Sequence, residues 1–534
     1  MKYPKYALLC LASALFITNV TFAQSYLDRL NTMDVQEYEL TLSLNDSTDV
    51  IDGQANIEIK FLKPVEQFSL DLISKSDAKT GMIVSSVSSA GQELRFEQEG
   101  DLLVIYSTAK ADETHSYSIE YSGIPADGLV IGTNKFGDRT FFGDNWPNRA
   151  HNWFPSVDHP SDKANFTFTI DAPDHYQVVA NGVLKEEINL SDDITRYKWE
   201  TSVPLPTKVA VIGVARFAVQ NVQEINGIEV STWVYPQNTT EGFYDYEPAT
   251  TILNFYINYI GPYPYQKLAN VQSKTRFGGM ENASNIFYFE NSVNGNRSVN
   301  SLLAHEIVHQ WFGNSASEID WAHLWLSEGF ATYLTNIYIQ QFEGEKQFRD
   351  QLTEQRDQII EFYKSNPVPV VNTEETNYMR LLNANSYQKG GWFLHMLRNK
   401  LGDETFQEAI RTYYDTYKLS NASTGDFRDV VEQVSGLELD PFFDQWLYKT
   451  GQPELNISHN NQGSSFTVTV EQVQQSGTTF TFPLELELTY SDGTSEIKTV
   501  EVTQKEQSFS FEVPSSPSRV TVDPNVKMLF EEVE

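Results

Sequence analysis

Between Ser301 and Tyr333 the chain reads SLLAHEIVHQWFGNSASEIDWAHLWLSEGFATY, and within it His305, Glu306 and His309 form the pattern H-E-x-x-H. Residues four apart lie on one face of an α-helix, so the two imidazoles can share one metal ion. Glu306 is rotated by about 100° from His305, which lets its carboxylate miss the ion and reach a water beside it. Leu302, Leu303, Ile307, Val308, Trp311 and Phe312 recur at helical spacing and Gly313-Asn314 supplies a stop, so the spacing predicts a helix over 299–313. Zinc in a hydrolytic site takes three protein ligands and keeps one position open. Glu328 opens a second apolar-periodic segment, WLSEGFATYL, after a loop long enough for that segment to return antiparallel, and it is the expected third ligand. The chemistry these types support is hydrolysis, with zinc polarising a water whose proton Glu306 takes and passes to the leaving amine.

The stretch resembles the aminopeptidase N and leukotriene hydrolase family of zinc metallopeptidases, the gluzincins, whose pattern sets eighteen residues between the second histidine and the glutamate. Eighteen residues separate His309 from Glu328. Gly278-Gly279-Met280-Glu281-Asn282 matches the family's G-x-M-E-N, and Tyr387-Gln388-Lys389-Gly390 its Tyr-x-Lys-Gly, in the family's order. The resemblance implies that Tyr387 shares the developing oxyanion charge with the metal and that Glu281 grips the α-amine of the substrate. Met280 is an expected lining residue, and the backbone at Gly278 and Gly279 is open to pairing with an extended peptide as an added strand. The segment FFGDNWPNRAHNWFPSVDHPSDKANF resembles a family loop ending in Pro-x-x-Asp-x-Pro, here Pro155 to Pro160. Counted back from Arg149, the family's amine-holding Gln or Glu falls on Asp144, one methylene shorter, with two extra residues between Arg149 and Pro155.

The activity so implied is that of a zinc aminopeptidase, one Zn2+ per chain, removing the N-terminal residue from peptides with free N-termini. It would be a short, bacterial-type member whose chain ends without the family's C-terminal helical domain. An endopeptidase or epoxide hydrolase on the same scaffold is the alternative within enzymes, and an inactive peptide-binding protein the alternative outside them. Glu281 counts against the endopeptidase, and the full set of ligands, base and tyrosine against the inactive protein. Nothing in the chain selects epoxide chemistry.

These residues need elements to hold them. From Gln24 to about Tyr235 the apolar residues alternate: Tyr38, Leu40, Leu42 and Leu44; Ala55, Ile57 and Ile59; Phe68, Leu70 and Leu72; Tyr117, Ile119 and Tyr121; Phe166, Phe168 and Ile170. Asp52-Gly53, Ala90-Gly91 and Asn181-Gly182 are the expected turns, and Ile228, Val230 and Thr232 one of the last strands of this β domain. From about 236 to 450 the period is helical: Thr251, Leu253, Tyr256, Ile257 and Ile260 are expected on a first helix ended by Gly261-Pro262, and further helices near 299–313, 326–342, 346–363, 385–400, 403–417, 424–434 and 440–449. The Gly278-Gly279 segment reads as a bent edge strand just before the 299–313 helix. From 451 to 534 alternation returns, in Phe466, Val468 and Val470 and again in Leu484, Leu486 and Leu488. The fold class is therefore α+β and multidomain: an N-terminal saddle of β-sheet over 24–235, a thermolysin-like catalytic domain over 236–450 and a small β-sandwich over 451–534. His323 and His395, in aromatic surroundings, are expected to be hydrogen-bonded rather than ligands.

Residues 1–23 read as a cleaved export signal, with Lys2 and Lys5 before an apolar run from Ala7 to Ile17 and Thr21-Phe22-Ala23 at the cleavage site. The expected location is periplasmic or extracellular. Removal takes two lysines and no acid, so the net charge passes from −34 to −36, and it takes Cys10, the one cysteine, leaving no disulfide framework. A surface this acidic argues against nucleic-acid and anionic-membrane partners, and no later apolar run is long enough for stable membrane insertion.

Overall fold

A computed structural model describes residues 28–76, 79–191, 193–462 and 465–533. The expected export signal lies outside them. The fold is mixed α+β, with a β-rich N-terminal part, a helical middle and further sheets at the C-terminal end. Contacts divide it into two compact units, one running to Thr250 and resuming over Pro264–Asn300, the other taking Thr251–Tyr263 and everything from Ser301 on.

In the first unit the alternating segments fold as expected. Met33–Ser43 pairs antiparallel with Ile51–Phe61 and parallel with Lys163–Pro173, at the centre of a nine-stranded sheet. Tyr38, Leu40, Leu42, Ala55, Ile57, Ile59, Tyr117, Ile119, Phe166, Phe168 and Ile170 are all buried on it. The alternation has period two because successive side chains leave a strand on opposite faces. Asp52-Gly53 is not a turn. It lies inside the Ile51–Phe61 strand, where Gly53 faces Tyr121 and a Cβ would come within 2.3 Å of that ring. The glycine is there to admit a tyrosine.

Ile228–Val234 also departs from expectation. With Ala218–Ile225 it joins a five-stranded sheet through Lys267–Ser273 and Asn285–Phe289, and the far edge of that sheet is Gly279–Met280. This sheet thus continues across the expected boundary at residue 235. Parallel pairing of Ile228–Val234 with Lys267–Ser273 requires a crossover, and α1 (Thr239–Tyr246) and α2 (Ala249–Tyr259) lie in that connection. The inward face of α2 is Ile252, Leu253 and Tyr256, with Ile260 buried just past its end, while Thr251 is exposed.

The second unit holds α3 (Asn300–Val308), α4 (Trp325–Glu343), α5 (Glu345–Ser365), α6 (Gly390–Leu401), α7 (Asp403–Tyr417) and α8 (Thr424–Ser435). One π-helical turn, Asn385–Lys389, leads into α6, and another, Asp444–Tyr448, closes the helical part. Beyond it, Glu454–Gln462, Ser465–Gln472, Glu506–Glu512 and Glu531–Val533 form one sheet and Phe482–Thr489, Ser495–Val502 and Arg519–Val522 another. Phe466, Val468, Val470, Leu484, Leu486 and Leu488 are buried in them. No helix among the described residues is long and apolar enough to cross a membrane.

Candidate active site

The helix that carries H-E-x-x-H is shorter than its spacing predicts. α3 ends at Val308, and His309 begins a turn that is closed by Trp311 N–H to Val308 O at 3.0 Å and Asn314 N–H to His309 O at 3.1 Å. Gly313 makes the reversal possible: its φ is +111°, and a Cβ there would stand 2.2 Å from Ser327 Oγ and 3.1 Å from His309 Nδ1. Trp311 Nε1 anchors the turn by donating to the carbonyls of Gly261 and Pro262, each at 3.1 Å.

α4 then presents Glu328 in its first turn. Its Oε2 lies 3.4 Å from His305 Nε2 and 3.2 Å from His309 Nε2, and the two nitrogens are 3.1 Å apart. Among the described residues this is the one cluster of three such donors. The set fits zinc. A tetrahedral ion with bonds of about 2.0–2.1 Å has donor–donor edges of roughly 3.3–3.4 Å. Glu328 Oε2 is buried with both imidazole nitrogens within 3.4 Å of it, the convergence on one point that a shared ion needs. Zinc also requires neutral imidazoles and an ionised carboxylate. Burial, with some help from His309, pushes His305 below the usual histidine range against the pull of Glu328. Burial alone would raise the Glu328 carboxyl, but His309 and His305 beside it hold it far below the usual range.

His309 is oriented by groups that its motif does not contain. Its Nδ1 lies 3.1 Å from Phe312 O and 3.1 Å from Ser327 Oγ. A proton on Nδ1 donated to that carbonyl leaves the Nε2 lone pair directed at the cluster. Sequence reasoning left these partners unassigned, although Ser327 adjoins Glu328 and Gly313 was legible as a stop. Glu306 is buried on α3. The Tyr387 ring stacks on His305 with centroids 6.0 Å apart and planes 10° apart, so the tyrosine expected from Tyr-x-Lys-Gly does join the cluster. Lys389 is buried and donates to Gly451 O at 2.7 Å, and burial pushes its ammonium down to about 7. His323 and His395 have partners as expected: His323 Nδ1 meets Thr424 Oγ1 at 2.8 Å, and His395 Nε2 donates to Val526 O at 2.9 Å.

In the first unit, Gly279 and Met280 pair antiparallel with Tyr288 and Phe287 at the edge of the five-stranded sheet, as expected. Gly278 is exposed and a Cβ there would meet open space, while its carbonyl accepts from Phe289 N–H at 3.0 Å. Met280 and Glu281 are buried. Asp144 is fully buried and bound by two arginines: Arg149 Nη2 donates to Oδ1 at 2.7 Å and Arg276 Nε to Oδ2 at 3.2 Å. Sequence reasoning did not single out Arg276. A cation two residues before Gly278 was its only signal.

Two family models match the chain, the peptidase family M1 domain over residues 244–446 and the peptidase M1 N-terminal domain over residues 35–209. Among curated proteins, human glutamyl aminopeptidase is 29% identical over 334 residues, covering 59% of this chain and 34% of that protein. Aminopeptidase M1-C of rice (Oryza sativa subsp. japonica) is 30% identical over 323 residues, covering 58% of this chain and 37% of that protein. The chain spans about a third of the length of the curated relatives it matches. In fold it is similar to Legionella pneumophila aminopeptidase A, solved in complex with aspartic acid, with a TM-score of 0.82 at 17% identity over 94% of this chain and 60% of that one.

Proposed function

This chain belongs to peptidase family M1, and from that premise we propose that it is an exported zinc aminopeptidase hydrolysing the first peptide bond of substrates with a free N-terminus. The observation that carries the reading is the convergence of His305, His309 and Glu328, with donor atoms 3.1–3.4 Å apart. Bound to these three residues, zinc would supply a Lewis acid for a water and for the scissile carbonyl. Glu306 takes the proton of the attacking water and delivers it to the departing amine. The Tyr387 hydroxyl donates to the carbonyl oxygen as negative charge gathers there. Glu281 accepts the substrate ammonium, Met280 lines the pocket for the first side chain, and the Gly278-Gly279 edge offers backbone groups to an extended peptide. The basic and apolar start of the chain supports export to the periplasm or beyond.

The test is hydrolysis of a panel of aminoacyl fluorogenic amides, glutamyl and aspartyl members included, beside the same compounds with acetylated N-termini. The zinc-loaded chain is expected to cleave the free amines and spare the blocked ones. Glu306→Gln should retain one zinc per chain while kcat falls by about 10²–10⁴-fold. Equal cleavage of blocked and free substrates would replace this reading with an endopeptidase.

A further inference from the structure

Asp144 occupies the position where the family places a residue that holds the substrate amine, yet its surroundings suit another task. Both of its oxygens are engaged. Arg149 takes Oδ1, while Arg276 takes Oδ2 twice, through its side chain at 3.2 Å and through its backbone N–H at 3.4 Å. The same two arginines share Asp127, whose Oδ1 accepts from Arg276 Nη2 at 2.6 Å and Arg149 Nη1 at 3.4 Å. Two carboxylates and two guanidiniums thus form a cluster of balanced charge. A substrate ammonium could reach Asp144 only by displacing a guanidinium and adding a third cation to the cluster, at full burial.

The neighbouring contacts all bear on one segment. Phe277, next to Arg276, packs edge-on against Trp146 with centroids 6.3 Å apart, and the Arg149 guanidinium lies 5.9 Å from its ring centre. Asn145 ties the Asp144 loop to the carbonyls of Thr207 and Ala210, and Val209 O between them accepts from Ala283 N–H at 3.2 Å. The stretch from Arg276 to Ala283 is therefore held at both ends, and Asp144 holds its leading end. We infer that Asp144 is a positioning residue: it clamps Arg276 and thereby sets the edge segment that carries Gly278, Gly279, Met280 and Glu281, leaving the amine to Glu281. The shorter side chain suits this task, because a carboxylate kept inside the cluster serves a clamp and a longer one reaches past it. The inference rests on the aminopeptidase reading in assigning the amine to Glu281.

Two measurements on the zinc-loaded full chain test it. The first compares inhibition constants of an aminoacyl hydroxamate and its des-amino analogue, which differ only in the amine. Wild type should favour the amine-bearing inhibitor, and Glu281→Gln should lose that preference by about tenfold or more, the scale of a charge-assisted hydrogen bond. Asp144→Asn should weaken both inhibitors together and keep their ratio within about twofold of wild type, since a clamp does not sense the amine. A ratio that collapses in Asp144→Asn as it does in Glu281→Gln would overturn the inference and make Asp144 an amine ligand. The second measurement is backbone hydrogen exchange without inhibitor. Asp144→Asn, and separately Arg276→Gln, should each speed exchange across 275–279, and unchanged exchange in both variants would also overturn the clamp. If wild type itself shows no preference for the amine, the aminopeptidase reading fails, and the exchange result still decides the clamp.

Discussion

His309 can act as a ligand only if its lone pair sits on Nε2, and that is decided at the other nitrogen, by Phe312 O and Ser327 Oγ. Both partners depend on Gly313, whose left-handed backbone folds the end of α3 back toward α4. A methyl group at this position would be strained at φ +111° and would collide with Ser327 Oγ and the imidazole together. We expect Gly313→Ala to weaken zinc by about 10–100-fold, the usual cost of disturbing the groups behind a ligand, as read by competition with a chromophoric chelator. Ser327→Ala removes one of the two Nδ1 partners and leaves the carbonyl, so its loss should be smaller than that of Gly313→Ala. An equal loss would mean that the serine, not the carbonyl, fixes the ring.

At the scale of elements, the position of Tyr387 follows from how closely two helices approach. A Cβ on Gly329 in α4 would lie 2.8 Å from the Gly390 carbonyl carbon, and one on Gly390 in α6 would lie 3.0 Å from Gly329 Cα. The two backbones therefore touch, one residue past Glu328 and three past Tyr387, so that ligand and tyrosine are set by the same contact. Gly390→Ala should cost about 1–3 kcal/mol of stability through overpacking, lower kcat by shifting Tyr387, and leave zinc content unchanged, as checked by denaturant unfolding, kinetics and metal analysis. This contact also marks what the sequence could convey. The cluster of His305, His309 and Glu328, and Tyr387 beside it, were legible because each lies in a short local pattern with its own chemical reason. The glycine of Tyr-x-Lys-Gly was visible as a letter, but its partner Gly329 was not, since nothing local signals that two helices meet there. The alternating strands were likewise legible, and they failed at Gly53, where a glycine that admits a tyrosine from a neighbouring strand imitates a turn. Asp144 is a different case: its position was legible, but its partner Arg276 lies 132 residues away and nothing local signals the pairing.

On the scale of the whole molecule, the C-terminal sheets are joined to the helical part of their unit by two buried groups of opposite acid response. His395 on α6 donates to Val526 O and meets the Tyr333 hydroxyl, while burial, with Arg398 and Lys527 nearby, pushes its imidazole down to about 4. Asp523 accepts from the backbone N–H groups of Lys527 and Met528 and from Arg356 on α5, yet burial, with Glu485 nearby, raises its carboxyl to about 6. A depressed histidine stabilises the fold above its unfolded value of about 6.5 and loses that contribution as pH falls toward 4. A raised aspartic acid does the reverse, stabilising the fold below its unfolded value and losing the contribution as pH rises through about 6. Each change is on the order of 3 kcal/mol and they fall in one window, so between pH 7 and pH 4 they oppose and largely cancel. The cancellation is exposed by removing one side. In urea unfolding with zinc chelated, to keep the metal ligands out of the comparison, His395→Gln should shift the balance of stability toward pH 4 relative to wild type. Asp523→Asn should shift it toward pH 7, each by a few kcal/mol. Shifts in the same direction for both variants would mean that the joint is not governed by this pair, and that its acid response belongs to the surface charge of the acidic chain as a whole.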